Sequence, residues 1–216
     1  MTKNSFFLSL ILTFVASTLA TLHAQDAKAK TVLDAVKVKY EAMASFQANF
    51  LCVMSSPSTG VNETYKGEIT VKGSKFYLKL PKQDVITDGK TQWTFMRDAN
   101  EVNITNYEPD PNEVTPDKIY TLYESNYAYV YVEEKVENGK AFHLIDLKPK
   151  NRDAQFFKIR LKITKNNGIK SWELFERNSN SYLYTIQKFA TVSVNDSYFK
   201  YDKANYSTKP KEVDLR

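Results

Sequence analysis

His143 and Cys52 are the two side chains beyond the first 24 residues whose types best suit nucleophilic or proton-transfer chemistry. A Ser-His-Asp or Cys-His arrangement would have to use His143, which sits in Phe142-His-Leu-Ile145 with no motif around it. A zinc site needs His and Cys in clusters, and this chain has none. No P-loop and no G-x-G-x-x-G occurs. Glu133 and Glu134 are adjacent carboxylates, and such pairs are common on solvated strand ends. A glycosidase built on carboxylates alone stays open. The residue types otherwise point away from an enzyme and from a bound cofactor or metal. A single cysteine forms no disulfide within the chain, so the core must rest on apolar burial.

Residues 1–24 carry Lys3, then an apolar run from Phe6 to Leu22, then Ala24. That is the pattern of a secretory signal peptide, removed before Gln25. The run spans about 17 residues and is interrupted by hydroxyl side chains, at the lower edge for a membrane-crossing helix. Cys52 lies far from the cut, so it is no lipid-accepting cysteine. The chain carries 30 Lys and Arg against 25 Asp and Glu, a net charge of +5. That balance is too mild to imply nucleic acid, and no basic block stands out. The remaining residues, 25–216, read as one exported domain, large enough to bury its own core.

The elements that must position any site are mostly strands. Ala27–Ser45 places Val32, Leu33, Val36, Tyr40 and Met43 at spacings of three and four, an amphipathic helix. Period-two alternation then predicts strands at Phe46–Met54, Tyr65–Val71, Phe76–Leu80, Gln92–Met96 and Glu101–Tyr107. Asp88-Gly89 is a hairpin signal, and Pro81–Thr91 reads as one turn region. Glu108–Val114, with two prolines, reads as a loop. Thr115 and Pro116 open a short helix with Ile119, Leu122 and Tyr123 on one stripe. Further strands follow at Tyr127–Val136, Ala141–Leu147, Phe156–Thr164, Ile169–Arg177 and Ser181–Phe189, with a short one near Tyr198–Tyr201. A meander of ten or about eleven strands must curl.

The most informative stretch is Gly67–Trp93, where two turns join strands rich in apolar and aromatic residues. The chain has 14 Tyr, 13 Phe and 2 Trp, many at period-two positions. Taken singly, each is an ordinary core residue. Taken together, they outrun what one helix and one short helix could cover. Either an apolar pocket remains or a partner fills it.

Four features in order resemble the LolA family of periplasmic outer-membrane lipoprotein carriers. They are the helix running into Met43-Ala-Ser-Phe46-Gln-Ala-Asn-Phe50, the element Gly67–Phe76, the turn Asp88-Gly-Lys-Thr-Gln-Trp93, and the Thr115-Pro116 helix start. The resemblance implies an α+β, mainly β fold: an unclosed antiparallel β-barrel of about eleven strands covered by lid helices. It implies a monomeric periplasmic carrier whose cavity takes the acyl chains of lipoproteins released by an ATP-driven inner-membrane transporter. An outer-membrane receptor would then accept them. The alternative is a lipid- or lipoprotein-sensing module of the same fold. By position, Phe76, Leu78 and Leu80 would line the cavity, with Ile119, Leu122 and Tyr123 facing it from the lid. Alternation adds Trp93, Phe95, Phe50 and Phe157. Family members carry a lid-latching arginine in the turn after the glycine strand; here Gly73 and Ser74 stand there. The lid is therefore held differently or left unlatched. Val213–Arg216 lies beyond a longer spacer than the resemblance implies.

Overall fold

In a computed structural model, the structure describes residues 26–108, 114, 117–124 and 126–216. The expected leader, the prolines of the 109–113 loop and the Thr115-Pro116 helix start lie outside the described residues. Helix α1 covers 26–41, shorter than Ala27–Ser45. Ser45 lies beyond the helix end, its hydroxyl donating to the Val192 carbonyl beside the first strand.

Twelve strands follow: β1 (Phe46–Ser56), β2 (Val61–Lys72), β3 (Lys75–Lys79), β4 (Gln83–Thr87), β5 (Thr91–Met96), β6 (Glu101–Asn106), β7 (Tyr127–Glu137), β8 (Lys140–Pro149), β9 (Phe156–Thr164), β10 (Ile169–Glu176), β11 (Ser181–Thr191) and β12 (Lys211–Asp214). They form one sheet in the order β12-β6-β5-β4-β3-β2-β1-β11-β10-β9-β8-β7. Its ends do not meet, so it is unclosed. Eleven consecutive strands are antiparallel, and β1 pairs with β11 to join the two halves. The β6–β7 connection therefore runs between distant strands and carries the second lid piece.

Three expectations are corrected. Gln83–Thr87 is a strand, not part of a turn. The segment near Tyr198–Tyr201 is no strand; Asp196–Phe199 is a 3-10 turn. The last strand is instead β12, parallel to β6 with Lys211 opposite Glu101. The short helix also shrinks: 117–121 are turns and only Leu122–Glu124 is 3-10.

Directly paired residues share a face of an antiparallel sheet. Phe46 pairs with Val71, Ala48 with Ile69 and Phe50 with Gly67. Val71 then pairs with Phe76, and Ile69 with Leu78. The same face carries Trp172, Leu161, Ile145 and Tyr131 in the other half. This is the inner, apolar face. Gly67 is required there by contact: a Cβ would stand 2.2 Å from the tip of the Phe50 ring. Gly67→Ala should cost roughly 1–3 kcal/mol by displacing that ring, read as a lower denaturant midpoint with an unchanged slope. An unchanged midpoint would mean that Phe50 moves aside freely.

The outer face of β3–β6 is apolar too. Residues 192–210 cross it as a strap. Tyr198 packs on Tyr77 at 5.5 Å and Tyr206 on Phe95 at 4.6 Å, while Phe199 is fully buried. Asp84, buried beneath the strap, pairs with Arg97. Asp196 receives Lys72 at 2.8 Å and Lys75 at 2.6 Å. These lysines pull its carboxyl down to about 2 from the ordinary 3.8. A depressed carboxylate supports the fold above its ordinary value, and the support is lost as pH falls through about 2. Amide exchange in 196–206 should therefore quicken between pH 4 and pH 2, and Asp196→Asn should flatten that profile.

Candidate functional site: an apolar face under a two-part lid

The lid is built from α1 and the 117–124 segment. The helix buries Ala29, Val32, Leu33, Val36 and Tyr40 against the inner face. The second piece contributes Ile119, Leu122 and Tyr123 to the same apolar cluster. Tyr40 is the junction of the two pieces and the sheet. Its ring stacks on Tyr120 at 5.1 Å and meets Phe46 and Phe189 edge-on at 5.5 Å each. Its hydroxyl accepts the Ile169 N–H at 3.1 Å.

Polar bonds hold the two lid pieces to each other. The Tyr123 hydroxyl donates to Asp34 at 2.7 Å, and Lys37 pairs with Glu124. Lys30 adds a bond to Asp34 at 2.6 Å. These two partners, Lys30 first and Tyr123 second, hold the Asp34 carboxyl below its usual range, while burial opposes them. Lys39 donates to the Asn166 carbonyl at 2.8 Å, and Lys28 lies 4.0 Å over the Tyr131 ring. The half-buried His143 bonds that same Tyr131 hydroxyl at 2.8 Å. Burial and the nearby Lys165 push the imidazole below its ordinary value, partly offset by Glu134. It thus serves as a partner of the β7 wall under the helix.

Beneath the lid the faces fit closely. The pocket among Tyr40, Phe46, Phe50, Ile119, Trp172 and Ile186 has a volume of only about 20 Å³, near the room for one water. A larger cavity of about 480 Å³ lies at one end of the sheet, lined by Phe156, Leu174, Tyr182, Tyr184 and the 151–155 loop. Trp172 and Tyr184 stack at 5.0 Å between the two spaces.

The ten residues expected from the sequence divide. Phe76, Leu78, Ile119, Leu122 and Tyr123 belong to the cluster between lid and sheet. Phe50 is buried beside it, in the wall of the small pocket. Leu80 stands at the end of β3 and lines a shallow surface groove with Asn49, Gly67 and Pro81. Trp93 and Phe95 do not face the lid: Trp93 pairs with Ile86 and Phe95 with Asp84 on the outer face, where Tyr206 of the strap covers Phe95. Phe157 is also turned outward. A register shift between β9 and β10 at Phe175/Glu176 puts Phe157 against Phe175 at 6.3 Å and leaves it 45 % exposed. Tyr40, Trp172 and Ile186 also line the small pocket, and Tyr184 lines the larger cavity.

A family model described as Outer membrane lipoprotein carrier protein LolA matches residues 41–202, the sheet without β12. The chain belongs to the LolA family. An outer-membrane lipoprotein carrier protein from Histophilus somni (strain 2336) is 24 % identical over 179 residues, covering 77 % of this chain and 82 % of that protein. One from Haemophilus ducreyi (strain 35000HP / ATCC 700724) is 22 % identical over 209 residues, covering 95 % and 92 %. The crystal structure of a LolA superfamily protein from Nitrosomonas europaea aligns with TM-score 0.45 at 11 % identity, over 80 % of this chain and 97 % of that one.

Within this LolA-family chain, the Asp88-Gly-Lys-Thr turn is structural. Asp88 accepts the N–H groups of Lys90 at 3.0 Å and Thr91 at 2.9 Å. These bonds outweigh burial and hold its carboxyl low. Gly89 has φ +89°, and a Cβ there would meet the Ser74 hydroxyl at 2.6 Å. At the Gly73 turn, where the resemblance implies a latching arginine, a Cβ would meet nothing within 4 Å. Asp34–Tyr123 and Lys37–Glu124 tie the two lid pieces to each other, and apolar packing holds them on the sheet.

Among the described residues, no helix is long and apolar enough to cross a membrane, and no group of three or more potential metal ligands occurs.

Proposed function

We propose that this protein is a monomeric periplasmic carrier that takes the acyl chains of lipoproteins against its inner sheet face and moves them from inner to outer membrane. The single observation that carries this reading is an apolar sheet face covered by a lid whose hold is itself mainly apolar. An acyl chain offers the sheet the same kind of contact as α1 does. A sixteen-carbon chain hides roughly 12 kcal/mol of apolar surface at about 0.8 kcal/mol per methylene. Burying one large apolar side chain stabilises by about 1.5–3 kcal/mol, so Val32, Leu33, Val36 and Tyr40 together are of the same order. The exposed ion pairs of the lid are screened by solvent and add little to this. Cargo can therefore displace the lid, and the lid can in turn displace cargo. The small pocket under the lid admits no chain without that displacement. In this reading Phe76, Leu78, Phe50 and the cleared face of β1–β3 line the bound chains, while Ile119, Leu122 and Tyr123 close over them.

Release and delivery are assigned to an ATP-driven inner-membrane transporter and an outer-membrane receptor. The test incubates the purified protein with inner-membrane vesicles holding acylated lipoproteins, the transporter and ATP. Lipoprotein should appear in the soluble fraction bound to this chain. A chain that stays empty there yet copurifies with free lipid is a lipid carrier or sensor, and the transport reading falls.

A further inference from the structure

The mouth of the 480 Å³ cavity has a lip of unusual make-up. Arg177 ties the 150–155 loop to the β10–β11 turn, donating from Nη2 to the Arg152 carbonyl at 2.8 Å and from Nε to the Ala154 carbonyl at 3.1 Å. Next to that loop the bulge turns Phe157 outward against Phe175. Lys158 lies over both rings, 4.0 Å from Phe175 and 6.0 Å from Phe157. Lys148, Arg152 and Arg177, which flank these segments in the sequence, are exposed, against the acids Asp153 and Glu176.

We propose that this lip docks on the surface of an anionic phospholipid bilayer and sets the cavity mouth against it. Three independent features converge on that partner. Phe157 is apolar and exposed, backed by the half-buried Phe175, and exposed aromatic groups enter the headgroup boundary. The surrounding charge is positive, complementary to lipid phosphates. The 151–155 loop next to them lines the cavity together with Phe156, Leu174, Tyr182 and Tyr184, so a chain leaving the bilayer over this loop reaches apolar surface. The use of the surface rests on the carrier reading; the affinity for lipid does not.

The test is co-sedimentation of the purified protein with vesicles of phosphatidylcholine alone and of phosphatidylcholine with phosphatidylglycerol. The protein should pellet with the second and not the first, and salt should weaken the binding. Arg152→Ser with Lys158→Ser should weaken it roughly fivefold per cation removed. Phe157→Ser, at an exposed position, should weaken it with unchanged circular dichroism. Equal binding to both vesicles, no binding to either, or variants that bind like the parent would overturn the proposal. So would capture only by native membranes through a protein acceptor. Binding of a fluorescent acylated peptide in solution separates the two readings. Peptide binding without vesicle binding sinks the docking surface and leaves the carrier, and the reverse result sinks the carrier and leaves the surface.

Discussion

Leu78→Glu is expected to abolish acyl-chain binding while the protein still folds. Leu78 pairs with Ile69 and Val85 on the inner face, and it is half-buried against the apolar cluster. A carboxylate there finds water in the free protein when the neighbouring lid shifts slightly. Against a bound hydrocarbon chain it finds neither water nor a cation, and an unpaired buried charge is among the most costly groups to bury. Affinity for an acylated peptide should fall by at least about 100-fold, near 3 kcal/mol, while stability falls by about 1–3 kcal/mol. Trp93→Ala supplies the contrast. It removes a larger side chain from the outer face, so it should lower stability and leave peptide affinity within about twofold. Titration of a fluorescent acylated peptide against both variants decides the matter. If Leu78→Glu unfolds the protein with no separate binding loss, Leu78 is core and the inner face is not the cargo site.

Tyr40→Ala should free the helix from the sheet. Loss of a buried aromatic ring costs about 3–5 kcal/mol, and here three ring contacts go at once. The Ile169 N–H also loses its acceptor, a further cost of about 1–3 kcal/mol if it stays buried. The loss falls on the lid because β1–β11 keep their own ladder. Amide exchange across 26–41 should accelerate at least about 100-fold, with the strand signal in circular dichroism retained. Acyl-peptide affinity should rise, since the helix no longer competes for the face. A single cooperative melt with the helix as protected as before would show that α1 is part of the core and not a lid.

The sheet was largely legible because alternation repeats in every strand of the meander. The misses have separate physical causes. β4 has only five residues between Pro81-Lys82 and Asp88-Gly89, so turn signals on both sides masked it. β12 makes its only ladder with β6, more than a hundred residues earlier, and nothing local announces that pairing. Trp93 and Phe95 share one face of β5, but alternation does not say whether that face is inner or outer; the strap, about a hundred residues along the chain, makes the outer face of β5 the apolar one. Phe157 failed for another reason. One bulge reverses the direction of a side chain, and no residue type in Gln155-Phe-Phe-Lys158 marks it. The lid contacts of Asp34, Lys37, Tyr123 and Glu124 span nearly ninety residues and leave no signal in either local stretch.

The strap leaves β11 in the middle of the sheet and ends as β12 at its far edge. It thus crosses the backs of β1 to β6, fastened at Lys72, Lys75, Tyr77 and Phe95 on the way. A fixed length of chain on the outer, convex side limits how tightly those strands can curl. The bore of that half is therefore gauged by the length of a segment that never meets the inner face. Shortening or lengthening the chain between Val192 and Lys211 would change the calibre of what fits while every lining residue stayed the same.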